Sequence, residues 1–403
     1  MCCCCPPAIN ALFCLWLQSG CSKGSVAGAL TFFPPDPPLY KFERYNASGR
    51  LLEDDDDADE EAQQPPAAQE GADTADPDNE DAYDMRGDDE ERMEIIGPTG
   101  HVEPLEDKSR GSSNRRDAKQ KSPAQQLVER SRELRKRAKK RNARDAMDAT
   151  NGVTYRVALD PRLTRPPSGG TVEAVKIRKP SNVHVAALIY RVPANRSSAR
   201  TKTIIYSHGN ATDVGAMFSL QSILVQALEC NVVSFDYSGY GESGGVAQEN
   251  ATYSDIKAVY KYCAEHVSTN PANIILYGQS VGSGPVCHLG YKNNDIGGII
   301  LHSPFTSGMR VLTPSRLLAC LDIYPNINRI KHVRCPVMVI HGKLDEEVGY
   351  RHGVEMYEAV PDEYKRDPWW VPDRGHNDIT EGTGKMAEYI RRLRRFLEEL
   401  DDE

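Results

Sequence analysis

The period of the apolar positions changes along this chain. Thr171–Ile177 and His184–Val192 are short runs that read as paired strands. Five later runs are apolar almost throughout: Thr203–Ser207 (TIIYS), Asn231–Asp236 (NVVSFD), Asn273–Tyr277 (NIILY), Gly297–His302 (GGIILH) and Pro336–His341 (PVMVIH). Trp369–Val371 makes a last short strand. Helical spacing fills the gaps. Met217, Leu220, Leu224 and Leu228 share one side of 214–229, and further helices are expected at 251–266, from Val281, around Val354–Ala359 and over 384–399.

Strands without a polar face, separated by helices, predict an α/β fold with a mostly parallel central sheet covered on both faces. Ligands of such sheets sit at the carboxyl ends of the strands. The residues just after each strand are therefore the ones to inspect.

Composition divides the chain of 403 residues, whose formal net charge is -9. Residues 53–94 hold 20 Asp or Glu against two Arg, and residues 108–144 hold 15 Lys or Arg against three acids. Neither stretch has the large apolar residues that would offset its ordering entropy, so both are expected to be disordered. The expected organisation is a Cys-rich segment over 1–40, a disordered acidic-then-basic arm over 41–150 and one large α/β domain over 151–403. Cys230, Cys263, Cys287, Cys320 and Cys335 are odd in number and widely spaced, as buried free thiols are in a reducing compartment.

Chemistry collects after the strands. NIILY leads into Gly278-Gln279-Ser280-Val281-Gly282, a Gly-x-Ser-x-Gly between strand and helix. A serine on so sharp a turn projects its hydroxyl above the sheet, and the next backbone N–H, that of Val281, is aimed at a developing oxyanion. The serine needs a base, and the base needs an orienting acid, in the chain order Ser, acid, His. Asp345 follows PVMVIH and His376 follows the last strand, so they are the expected acid and base. A second oxyanion donor is expected from Asn210 or Ala211 in the loop after TIIYS. His208, His302, His341 and Asp236 read as structural. The reaction class needs no metal or cofactor.

Together these residues resemble the α/β-hydrolase fold, and more narrowly the α/β-hydrolase-domain-17 family. The resemblance rests on SHGNATDVG, FDYSGYGESGG, ILYGQSVGSGP, LHSPFTSGMRV, YPNINRI, VIHGKLDEEV and GHNDI, and covers about residues 180–400. It implies a membrane-anchored serine hydrolase that removes palmitate from cysteines of other proteins, with Ser280 as nucleophile, Asp345 as acid and His376 as base. Its partners would be S-acylated membrane proteins, and its place the cytoplasmic face of the plasma or endosomal membrane. The charged arm departs from the family. Only about 33 residues separate His302 from Pro336, too few for a large lid. A lipid esterase or a peptidase of the same fold is the alternative enzyme. A scaffold binding membrane or nucleic acid through Arg135–Arg141 is the alternative of another class, nucleic acid being the weaker expectation.

The chain begins MCCCCPPAINALFCLWLQSGC. Zinc would need a second close ligand pair, which the sequence lacks. Disulfides do not suit a reducing compartment. Residue 2 is not Gly, so myristoylation is excluded. No Lys or Arg precedes Lys23, which argues against a secretion signal. S-acylation of Cys2, Cys3, Cys4, Cys5, Cys14 and Cys21 remains, as the resemblance also implies; two or more acyl chains anchor stably where one does not.

Overall fold

In the computed structural model the described residues are 31–52, 123–163, 171–193, 201–268, 270–312 and 322–401. The six N-terminal cysteines, Cys320, the acidic tract 53–94 and residues 313–321, on which the lid expectation partly rests, lie outside them.

Eleven strands form one sheet among the described residues: β1 (Tyr40–Tyr45), β2 (Leu51–Leu52), β3 (Thr154–Leu159), β4 (Thr171–Arg178), β5 (His184–Arg191), β6 (Thr203–Ser207), β7 (Asn231–Phe235), β8 (Ile274–Gln279), β9 (Gly298–His302), β10 (Val337–Gly342) and β11 (Trp369–Val371). Their spatial order is β11-β10-β9-β8-β6-β7-β5-β4-β3-β1-β2. The six strands from β6 onward run parallel, and β5, β4, β3, β1 and β2 continue as antiparallel neighbours.

The long helices are α1 (Pro123–Thr150), α2 (Phe218–Leu228), α3 (Glu249–His266), α4 (Ser283–Lys292), α5 (Tyr350–Ala359) and α6 (Lys385–Glu399). They cover both faces. Ile205, Val233, Leu276 and Leu301 point to one core with Ile256 and Val259 of α3, Val286 of α4 and Met356 of α5. Ile204, Tyr206, Ile275 and Ile300 point to the other, with Leu224 of α2 and Leu393 and Phe396 of α6. Burial on both sides is why these strands carry no polar face.

One expectation is corrected. Residues 41–52 and 123–150 are not a disordered arm; they belong to the same compact unit as the domain expected over 151–403. Strand β1 runs against β3 in six residue pairs and buries Tyr40 and Phe42 on alternate positions. Helix α1 is almost devoid of large apolar residues, and polar contacts hold it instead. Arg141 donates to Ser243 O (2.9 Å), Asn142 Oδ1 accepts from Gly245 N (3.2 Å) and Arg144 pairs with Glu242 (3.0 Å). Asp145 meets Lys176 at 3.1 Å, both nearly fully buried, and Asp148 accepts from Arg44 Nε at 2.8 Å. Breaking a buried pair costs about 3–5 kcal/mol because a charge is left uncompensated. A composition argument that counts only apolar surface overlooks a segment held in this way.

Candidate active site

Strand register brings the site together. Ser207 pairs with Phe235 on one side and Gly278 on the other, Gln279 pairs with His302, His302 with Ile340, and Gly342 with Val371. The carboxyl ends of the parallel strands are therefore level, and the loops carrying Asn210, Ser280, Asp345 and His376 leave the sheet on one edge.

Ser280 sits where β8 turns into a helical segment, at φ 51°. This is a left-handed conformation that a non-glycine residue adopts only under constraint. The neighbouring glycines supply the room. A Cβ on Gly278 would lie 2.6 Å from Gly282 O, and one on Gly282 would lie 2.1 Å from Ser207 O. Real Cβ atoms do not approach oxygen so closely, so strand, helix start and the neighbouring strand meet only because both residues are glycine. A Cβ on Gly209 would be 3.9 Å from Ser280 Cβ, which places the loop after β6 directly against the serine. Among the described residues no hydrogen bond engages the backbone N–H of Asn210, Ala211 or Val281. Either loop residue thus stays open as the second donor beside Val281.

Asp345 and His376 are brought together. Nδ1 of His376 contacts Asp345 Oδ2 at 2.7 Å, and both residues are buried. The carboxylate is fixed from behind, its Oδ1 accepting from Glu347 N (3.0 Å) and Val348 N (2.8 Å). Burial opposes its ionisation, but hydrogen bonds from His341 and His376 outweigh that effect and hold its pKa well below the usual carboxylate range. Asn377 Nδ2 donates to Glu347 Oε1 (2.7 Å) and Leu344 N to Arg374 O (2.9 Å), so the two loops clasp each other, and Gly375 N donates to Asp378 Oδ1 (2.7 Å) within the second. A Cβ at Gly342 would come within 2.3 Å of Arg374 O and Gly375 O. Among the described residues Ser280 makes no hydrogen bond to His376. Catalytic hydrogen bonds often tighten only once substrate is bound.

The residues read as structural have structural partners. His208 packs on Tyr237 with ring centroids 4.4 Å apart, and its Nδ1 lies 2.7 Å from Gly209 O. Asp236 accepts from Tyr40 Oη and from Val214 N (3.0 Å). His341 Nε2 meets Val348 O at 2.8 Å. Burial pushes the thiols of Cys263, Cys287 and Cys335 up to about 12, as inert core residues.

His302 is buried beside Tyr277, whose Oη lies 2.7 Å from its Nδ1. Burial, aided by the nearby His376 and His341, lowers its pKa from the ordinary 6.5 to about 3. The unfolded chain then takes up a proton that the folded chain refuses. Stability should be complete above about pH 6.5 and decline as pH falls toward 3. His184 and His352, also lowered chiefly by burial, act in the same sense. In urea titrations His302→Gln should show a shallower loss of stability between pH 6 and 4.5 than the parent chain. An equal slope would assign the effect to the other two histidines.

Sequence reasoning missed a strap over the site. Asn210 Nδ2 donates to Thr31 O (2.7 Å), and its Oδ1 accepts from Phe33 N (3.0 Å) and Tyr240 Oη (2.7 Å). Phe32, 5% exposed, packs edge-on against Tyr240 and Tyr324 with centroids 6.3 Å apart in each case. The sequence signal was the Phe32-Phe33 pair standing alone before prolines. Phe32→Ala should cost about 3 kcal/mol in chemical unfolding, with Phe32→Leu recovering part of it. No change in the unfolding midpoint would show that the strap does not hold.

A family model described as serine aminopeptidase, S33, matches residues 198–327, which include Ser280 and stop short of Asp345 and His376. The esterase Pf2001 of Pyrococcus furiosus is similar with a TM-score of 0.47 and 20% identity, covering 59% of this chain and 98% of that one. Alpha/beta hydrolase domain-containing protein 17C of Mus musculus is 42% identical over 196 residues, 48% of this chain and 59% of the relative. This chain thus spans less than two thirds of that relative's length. Alpha/beta hydrolase domain-containing protein 17B of Homo sapiens is 36% identical over 227 residues, 56% of this chain and 75% of the relative. With three quarters of that relative matched, and with the parallel sheet and the loops at its carboxyl edge in place, the chain belongs to the alpha/beta hydrolase domain-containing protein 17 family.

Proposed function

We propose that this chain is a serine hydrolase that removes palmitoyl and other long-chain acyl groups from cysteine thioesters of membrane proteins. The observation that carries the hydrolase reading is the 2.7 Å Asp345–His376 contact on the sheet edge that also presents Ser280 at φ 51°. Ser280 Oγ attacks the thioester carbonyl while His376 Nε2 takes its proton. Asp345 holds the imidazole with Nδ1 protonated and stabilises the imidazolium that forms. Val281 N–H and the Asn210 or Ala211 N–H receive the oxyanion. The C–S bond then breaks, and the departing thiol takes the proton from His376. Water, activated by the same imidazole, cleaves the acyl-serine to release fatty acid and restore the hydroxyl.

The thioester substrate rests on family membership. It is tested by supplying a long-chain acyl-cysteine peptide and an acylglycerol side by side to a preparation that labels with a fluorophosphonate probe. Faster turnover of the thioester is expected. An active preparation that cleaves only the acylglycerol would replace the proposal with a lipid esterase.

The membrane placement belongs to the same proposal. Among the described residues no helix is long and apolar enough to cross a membrane. Acylation of Cys2–Cys5, Cys14 and Cys21 would hold the enzyme at the cytoplasmic face, where its S-acylated partners lie. Changing all six to Ser should release the protein from membranes of lysed cells washed at about 1 M salt, where electrostatic attraction is screened; retention on the salt-washed membrane would refute the anchor.

A further inference from the structure

Helix α1 has two opposed faces. The inner one carries Arg141, Asn142, Arg144, Asp145 and Asp148, which dock on the Gly241–Gly245 loop and on Arg44 and Lys176. The outer one carries Arg132, Arg135, Lys136, Lys139 and Lys140, all exposed. These five recur at helical spacing along about 12 Å of axis, roughly opposite the docked residues. Residues 129–141 hold eight Arg or Lys against Glu129 and Glu133. Lys136 makes one loose contact with Glu133 at 3.7 Å, with both side chains more than half exposed. Among the described residues Arg132, Arg135, Lys139 and Lys140 form no ion pair. A cationic face this dense repels itself and gains by meeting an anionic partner.

We propose that the outer face of α1 docks on an anionic phospholipid bilayer. Its position favours a membrane over a nucleic acid. Arg137, next to this face, meets Asp36 at 3.1 Å, and Asp36 belongs to the strap whose Thr31 and Phe33 bind Asn210 beside Ser280. The basic face, the segment leading back to the Cys-rich N-terminus and the catalytic edge are thereby linked through one short run of chain. The placement deepens the proposed membrane function and rests on it for the orientation of the anchor. Screening confines the attraction to about 8 Å at physiological salt, so the local cluster matters and the net charge of -9 does not. Each basic residue near such a surface strengthens partitioning roughly fivefold.

The test uses the full chain with Cys2–Cys5, Cys14 and Cys21 changed to Ser, so that acyl chains contribute nothing. It is mixed with phosphatidylcholine vesicles, with and without about 30% phosphatidylserine, at about 0.15 M salt. Binding at least about 20-fold stronger to the anionic vesicles is expected, and the triple variant Arg132→Glu/Arg135→Glu/Lys139→Glu should fall to the neutral-vesicle level. The unfolding midpoint of that variant checks that α1 still folds. Equal binding to both vesicles overturns the proposal. So does preferential binding of a single-stranded RNA 20-mer. Vesicle binding that appears only after deletion of 53–94 overturns it too, because the chain's own acidic tract would then cover the face. Fluorophosphonate labelling of the same samples reports on Ser280 separately, so a failed hydrolase reading and a failed docking surface are told apart.

Discussion

Ser280→Ala is expected to abolish labelling by a fluorophosphonate probe and to lower kcat by roughly 10⁴-fold or more. The argument is geometric. Ser280 stands at φ 51° on a turn that exists only because Gly278 and Gly282 leave space for each other and for Ser207 O. That strain directs one side chain toward the edge where the carboxyl ends of β6, β8, β9 and β10 are level. Alanine keeps the Cβ and removes the one atom that can form the acyl bond, so the fold should survive and the chemistry should not. The unfolding midpoint should stay within the small range typical of conservative changes. Labelling that persists in Ser280→Ala would mean that another residue is the nucleophile.

Asp345→Asn should be almost as damaging to activity, by about 10³–10⁴-fold in kcat, with much less effect on KM. The carboxylate has two tasks. Its Oδ2 fixes His376 with Nδ1 protonated at 2.7 Å, leaving Nε2 to act as base. Its Oδ1 accepts the N–H groups of Glu347 and Val348, which shape the loop. An asparagine side chain can still accept two loop N–H bonds through its oxygen. It then turns an NH2 group toward His376, which selects the wrong imidazole tautomer. The carboxyl pKa already lies well below the usual range, because the His341 and His376 hydrogen bonds outweigh burial. Asp345 itself should therefore impose no acid limb on activity at mildly acidic pH. A kcat close to that of the parent in Asp345→Asn, measured on a soluble ester, would show that the acid lies elsewhere. Glu347, joined to Asn377 at 2.7 Å, would be the next residue to change.

These expectations were open to sequence reading because hydrolases of this fold build their site from strand ends. Apolar runs such as TIIYS and NIILY mark buried parallel strands, and the residues following them must fall at one edge of the sheet. Ser280, Asp345 and His376 could be picked out because strand order along the chain and the chemistry of a serine nucleophile both constrain them. Boundaries shifted by up to four residues, as with the helix expected over 214–229 and found over Phe218–Leu228. Those shifts leave the site unmoved, since it hangs on strand carboxyl ends.

Contacts between segments far apart in the chain were not legible. Nothing in the arm's composition announces that Asp145 will meet Lys176, 31 residues later, or that Arg141 will reach Ser243, 102 residues later. Nor does Asn210, read only as a source of backbone N–H, reveal that its side chain seizes Thr31 and Phe33, about 180 residues earlier. By itself the sequence determined the parallel strands, the order of Ser280, Asp345 and His376 behind them and the turn that carries the serine, because local periodicity and glycine sterics act over a few residues; the added strands β1, β2 and β3 were not legible in it. Only the tertiary structure decided that the basic helix and the Phe32 strap belong to the same compact unit as Ser280, Asp345 and His376. The bonds that hold them are buried, polar and long-range, and their strength comes from partners that folding brings out of water together.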